Sequence, residues 1–126
     1  MWPFLLKEYC SMKFSESLKK NNDFQNVYKN GRSHANKYLV MYVSENNKNI
    51  NRIGISVSKK IGNSVVRHRF TRLVRESYRL HENIFNSGLD IVVVARKSAD
   101  SVGFEEIESA LLHLAKIHQI LKIYFF

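Results

Sequence analysis

Cysteine is nearly missing: Cys10 stands alone among 126 residues. That excludes an internal disulfide, suits a reducing compartment and leaves no second thiolate for a zinc cluster. The five histidines, His34, His68, His81, His113 and His118, include no i, i+4 pair. His113 and His118 diverge by roughly 140° around a helix, so no helical metal site arises from them. Acids are few, 11 against 20 Lys and Arg, and scattered. Asp23, Asp90 and Asp100 read as capping or solvated groups near element ends. A protein-only nuclease would need clustered acids to hold metal ions, and none are clustered here. A glycine-rich phosphate loop and a nucleophile elbow are also lacking. No apolar run approaches the ~20 residues of a membrane span. The opening MWPFLLKEYC is broken by Lys7 and Glu8 and has no basic start, so it does not read as a secretory signal. Without repeats, low-complexity tracts or Pro/Gly linkers, the chain reads as one domain over residues 17–126 behind an irregular lead-in at 1–16. These absences describe a binder with no catalytic residues and no metal site of its own.

What the chain has is positive charge. The net charge is +9 and the pI about 9.8, which favours an anionic partner, nucleic acid before a membrane surface. The charge concentrates between Arg52 and Arg79, where eight Lys or Arg meet one acid, Glu76. Here the sequence runs SVSKKIGNSVVRHRFTRLVRESY from Ser56 to Tyr78. Ile53, Ile55 and Val57 alternate with small residues and predict a strand. Gly62-Asn63 predicts a turn, and Asn63 or Ser64 can cap the helix that follows, because a side-chain oxygen accepts a free backbone N–H. Val66, Phe70, Leu73, Val74 and Ser77 share one helical face. His68, Arg72, Arg75 and Arg79 lie opposite, flanked by Arg67 and Arg69. Like charges at these spacings cost a few tenths of a kcal/mol per pair in an isolated helix. A polyanion would offset that cost, and the planar guanidinium fork binds phosphate oxygens in pairs. A merely solvated face would carry mixed signs.

This stretch resembles the signature of the bacterial ribonuclease P protein subunit, whose Arg-Asn-Arg motif follows a Gly-Asn turn. Here the match is Arg67-His68-Arg69, with Lys59, Lys60, Gly62, Asn63, Arg72, Arg75 and Glu76 in register; His68 stands where the family usually has Asn. The likeness extends from about Leu18 to about His113. It implies that Lys59, Lys60, Asn63, Arg67, His68, Arg69, Arg72 and Arg75 bind the catalytic RNA subunit. It also implies a left-handed strand–helix–strand crossover, against the usual right-handed rule.

Elsewhere the pattern is clear. A short helix is predicted within Leu18–Gly31, with Asn22 as N-cap, Gln25 at capping-box spacing and Gly31 closing it in the left-handed conformation. Its Phe24, Val27 and Tyr28 share one side; on periodicity alone that is a buried stripe. The resemblance implies instead that Phe24, Tyr28 and Tyr42 line a cleft for the single-stranded 5′ leader of precursor tRNA. Residues 34–44 predict one strand, with Tyr38, Val40 and Tyr42 on one face and Leu39, Met41 and Val43 on the other. A polar, Asn-rich loop should lead to a second, antiparallel strand at Arg52–Ser58, whose Gly54, Ser56 and Ser58 form a small face open to close approach. LDIVVVAR, Leu89–Arg96, is a strand buried on both sides. Phe104, Ile107, Leu111, Leu114, His118 and Leu121 predict the apolar face of a last helix, with Glu105, Glu106 and Glu108 suiting its N-terminal dipole. The fold class is therefore α+β, helices packed on a small mixed sheet in the order helix, two or three strands, helix, strand, helix.

The resemblance implies the protein subunit of a ribonucleoprotein endonuclease that removes the 5′ leader of precursor tRNA. Catalysis would lie in the RNA subunit and the protein alone would be inactive. Mg²⁺ would be held mainly by RNA and substrate, with no organic cofactor. The partners would be ribonuclease P RNA and precursor tRNA in a cytoplasmic one-to-one complex, with no membrane. The alternative is a general RNA-binding module of the ribosomal or translation-factor type. That needs one binding surface; the subunit needs two, a basic helix and an aromatic cleft.

Overall fold

The structure is a computed structural model that describes residues 15–122. Five strands form one mixed sheet: β1 Ser15–Ser17, β2 Arg32–Ala35, β3 Leu39–Glu45, β4 Asn51–Ser56 and β5 Leu89–Ala95. Among the described residues three α-helices, α1 Asn21–Asn30, α2 Ser64–His81 and α3 Phe104–Ile117, and two single 3-10 turns, Glu82–Ile84 and Lys97–Ala99, complete the fold. The spatial order of the strands is β1-β4-β5-β3-β2. β1 and β5 each pair parallel with β4, while β3 runs antiparallel to both β5 and β2. The α+β class with helices on a mixed sheet is as the sequence indicates.

β5 is the centre. Its apolar run is fully buried from Leu89 to Val93, because strands flank it on both edges and side chains cover both faces. On one face, Leu39, Met41 and Val43 of β3, Ile53 of β4 and Ile91 and Val93 of β5 form the main core with Phe70, Val74 and Tyr78 of α2 and Ile107, Leu111 and Leu114 of α3. Strand side chains alternate between faces. On the other face, Val92 joins Leu18 and Val27 of α1 in a smaller cluster, edged by Phe24, Tyr28, Tyr42 and Val94.

Several local expectations change. The predicted strand at 34–44 is two strands, β2 and β3, broken by a turn in which Asn36 Oδ1 accepts from the Tyr38 and Leu39 N–H groups. That turn takes Tyr38 out of the alternation, and its ring packs against the main core instead of sharing a face with Tyr42. β4 is not the antiparallel neighbour of β3, since β5 lies between them. The end of the lead-in belongs to a strand, because Ser15–Ser17 pairs with Asn51–Ile53; Cys10 and the rest of the lead-in lie outside the described residues, as does the end of the apolar tail. α1 starts after Lys20 with no side-chain cap, so Asn22 is already inside the helix. Gly31 is extended, with φ −85°, and not left-handed. Glycine is needed there for closeness: a Cβ would lie 2.5 Å from the Val27 carbonyl oxygen and 2.9 Å from that of Val43.

A polar hub joins four of these elements. Asn51 donates to the Asn86 carbonyl and to the Tyr78 hydroxyl, and its Oδ1 accepts from the Leu89 N–H at 2.9 Å. Tyr78 Oη also bonds Ser15 Oγ at 2.6 Å, which ties β1 to α2. Burial pushes the Tyr78 phenol pKa up.

Candidate nucleic-acid interface

Two surfaces carry the residues that the sequence singles out. The first is α2. Asn63 caps it as expected, its Oδ1 accepting from the Val66 N–H at 3.0 Å. Phe70, Val74, Ser77 and Tyr78 are buried, so the opposite side must face outward. His68, Arg69, Arg72 and Arg75 are exposed there, as are Lys59 and Lys60 in the turn before the helix. Arg69 is steadied by donating to the Val102 carbonyl at 2.9 Å. Among the described residues neither Arg72 nor Arg75 has an ion-pair partner, because Glu76 turns to Arg79. Arg79 thereby leaves the row in which the sequence placed it, with its side chain only 9% exposed. Arg67 sits at the rim of a notch formed with Ile55, Val57, Ser64, His68 and Thr71. Its Nε is buried and has no hydrogen-bond partner among the described residues, a donor that an anion could satisfy.

The second surface lies on the other face of the sheet. The structure brings Phe24, Tyr28 and Tyr42 together. Phe24 and Tyr28 have ring centroids 6.4 Å apart, and Tyr28 meets Tyr42 edge-on at 4.9 Å. All three are half-buried, while Val27 between them is 1% exposed and anchors the helix. The floor follows from the register: Tyr42 lies beside Val92 and Val92 beside Gly54, and the next row is Val40, Val94 and Ser56. Gly54 is there for close approach, since a Cβ would come within 2.7 Å of the Phe24 ring. The small face expected on β4 thus accommodates Phe24 itself.

One row towards the start of β4 lies a charged network. Arg52 places Nε at 2.8 Å and Nη2 at 2.6 Å from the two carboxylate oxygens of Asp90, its cross-strand partner. Its Nη1 points to Asp23 of α1 at 3.5 Å. Burial pushes the Asp90 carboxyl up, but hydrogen bonds from Arg52 and Asn46 outweigh it and hold the pKa below the ordinary value. The Arg52 pKa is raised, chiefly by the bond to Asp90. Asp90 is therefore no solvated terminal acid, contrary to the sequence reading. Asp100 does stay near the surface, 3.2 Å from Lys97.

No three His, Cys, Asp or Glu among the described residues are grouped so as to hold a metal ion. Nor is any described helix long and apolar enough to cross a membrane.

The ribonuclease P family model matches residues 12–119. The chain belongs to the ribonuclease P protein family. The ribonuclease P protein component of Lachnoclostridium phytofermentans is 66% identical over 107 residues, 85% of this chain and 92% of that protein. That of Alkaliphilus metalliredigens is 53% identical over 105 residues, 83% of this chain and 95% of the relative. Among solved structures, the Staphylococcus aureus RNase P protein matches with TM-score 0.78 and 39% identity over 84% of this chain and 97% of its own. The Thermotoga maritima RNase P protein matches at TM-score 0.75 and 34% identity, over 81% and 96%.

Two basic residues that the sequence left unassigned lie just past β5. Lys97, just past β5, donates to the Ile61 carbonyl at 3.2 Å and so stands beside the Lys59–Lys60 turn. Arg96 donates to the Asn36 carbonyl at 2.8 Å. The available signal was a basic pair directly after a buried apolar strand.

Proposed function

We propose that the chain acts as the protein subunit of ribonuclease P. It binds the catalytic RNA through Lys59, Lys60, Asn63, Arg67, His68, Arg69, Arg72 and Arg75, and the 5′ leader of precursor tRNA through Phe24, Tyr28 and Tyr42. The observation that carries this is the pairing of two surfaces on one small sheet. A helix with a basic exposed side packs on one face, and a trio of half-buried aromatic rings lies on the other. A general RNA-binding module would need only the first.

Each surface suits its partner. The exposed guanidinium groups of Arg72 and Arg75 replace condensed counterions on a folded RNA, and the entropy of their release favours binding. The Arg67 Nε gains an acceptor. In the groove, rings stack on bases of any identity, which lets one protein serve precursors with unrelated leaders. The protein holds and orients the leader; the chemistry and the Mg²⁺ that it requires belong to the RNA and the substrate. The complex is a cytoplasmic one-to-one ribonucleoprotein.

The test is reconstitution. The protein is mixed with a bacterial ribonuclease P RNA and precursor tRNA at low Mg²⁺, and release of the leader is followed on a gel. Cleavage should require both components. Robust Mg²⁺-dependent cleavage by the protein alone, or no effect of the protein on the RNA, would overturn the reading.

A further inference from the structure

α1 carries two of the three groove rings, yet little directs its placement. It has 10 residues, no side-chain N-cap and one fully buried residue, Val27. A helix so short is marginal in isolation, so its position comes from what it packs against. Apolar contact through Val27 attracts without fixing an angle. The one charged tie is Asp23: among the described residues it is the one α1 side chain with an ion pair or hydrogen bond to the sheet, 3.5 Å from Arg52 Nη1.

That contact ends a braced chain. Asp90 holds two nitrogens of the Arg52 fork, which leaves Nη1 for Asp23, 3.5 Å away. Asn46 in turn donates to Asp90 at 2.9 Å and to the Ile50 carbonyl at 3.1 Å, fixing the carboxylate from behind. Glu16 of β1 stands across from Arg52 in register, so three acids surround the one guanidinium. Arg52 lies two residues from Gly54 on the same face, one row from the Phe24 ring. Asp23 directly precedes Phe24.

We propose that Asp23, Arg52 and Asp90 form a strut that sets the roll of α1, and with it the placement of Phe24 over Gly54 and of Tyr28 against Tyr42. Asp23 and Arg52 are then positioning residues for leader binding, which rests on the function proposed above. The strut needs a fork that serves two carboxylates at once. A lysine keeps the charge but offers a single ammonium and cannot span both.

Two readouts separate position from charge. The first is the set of ring-to-ring nuclear Overhauser effects between Tyr28 and Tyr42 in the free protein. The second is the ratio of holoenzyme affinities for precursor tRNA and leaderless tRNA. Asp23→Asn and Arg52→Lys should each weaken the ring contacts and lower the ratio about two- to fivefold, the scale of one partly exposed ion pair. Asp23→Glu should restore both. The sign is diagnostic for Asp23→Asn: deleting a negative charge beside a polyanion should by itself raise the ratio. Unchanged ring contacts in both variants, or a raised ratio in Asp23→Asn, would overturn the strut. A wild-type holoenzyme with no leader preference would overturn the function reading instead, and the ring contacts would still decide the strut.

Discussion

Replacing Phe24 by Ala separates a groove wall from a core residue. A fully buried Phe truncation costs about 3–5 kcal/mol. Phe24 is half-buried and lies over Gly54, while Val27 beneath it is 1% exposed and keeps the helix docked. Scaling by burial gives a cost of about 2 kcal/mol, or roughly 5–10 °C in Tm for a domain of this size. The ring is also one stacking platform, and its loss should cost about 1–3 kcal/mol in leader binding, on the order of 5- to 150-fold. The assays are thermal unfolding by circular dichroism and holoenzyme affinity for precursor and leaderless tRNA. Affinity for precursor should fall, and affinity for leaderless tRNA should not. A drop in stability of the full core size with no leader-dependent loss would refute the argument, because the ring would then belong to the interior.

Three other outcomes follow from separate parts of the molecule. Arg72→Ala with Arg75→Ala should weaken binding to the RNA subunit and lower the salt slope by about two units, one per lost phosphate contact; wild-type salt dependence would show that the surface is misplaced. Asn51→Ala leaves the Leu89 N–H, the Asn86 carbonyl and the Tyr78 hydroxyl without their shared partner, so denaturant unfolding should show a loss of about 3–5 kcal/mol; a loss below about 1 kcal/mol would mean that water replaces the side chain. His118 is buried and donates from Nε2 to the Met41 carbonyl; its Nδ1 has no hydrogen-bond partner among the described residues, its ring lies edge-on to that of His34, and Arg32 is near. Burial lowers its pKa, so the native state binds fewer protons than the unfolded one; its contribution is present above about pH 6.5 and is lost as pH falls through the folded value. As pH falls below about 6.5, stability should drop less steeply in His118→Gln, which keeps the donor to Met41, and an unchanged slope would exclude His118 as the source.

The sequence was most legible where interactions are local. The Asn63 cap, the apolar face from Phe70 to Ser77 and the basic face opposite all depend on neighbours within a few residues. The apolar run of β5 announced its own burial. What stayed hidden depends on partners far along the chain. Asp90 meets Arg52 across 38 positions, and no local pattern distinguishes it from a solvated acid. Gly31 looks like a left-handed helix stop until the Val43 carbonyl is seen against it. Tyr38 alternates with Tyr42 on paper, but the Asn36 turn decides where its ring goes. For the groove, Phe24 and Tyr28 share a side by spacing, whereas their meeting with Tyr42 depends on tertiary packing.

The position of β5 has a consequence for how the protein is made. Before residue 89 is synthesised, the strands can form two separate ribbons, β1 with β4 and β2 with β3. Nothing in the sheet joins them until β5 inserts between β4 and β3. These closures are long in sequence, and long closures are slow. During translation the basic helix α2 therefore emerges before the strand and the helix α3 that complete the core around it. The groove has no floor until its central strand, with Val92, arrives. A nascent chain therefore exposes the positive charge of α2 before the aromatic trio has the strand it packs on; under the function proposed above, assembly with RNA can begin before folding ends.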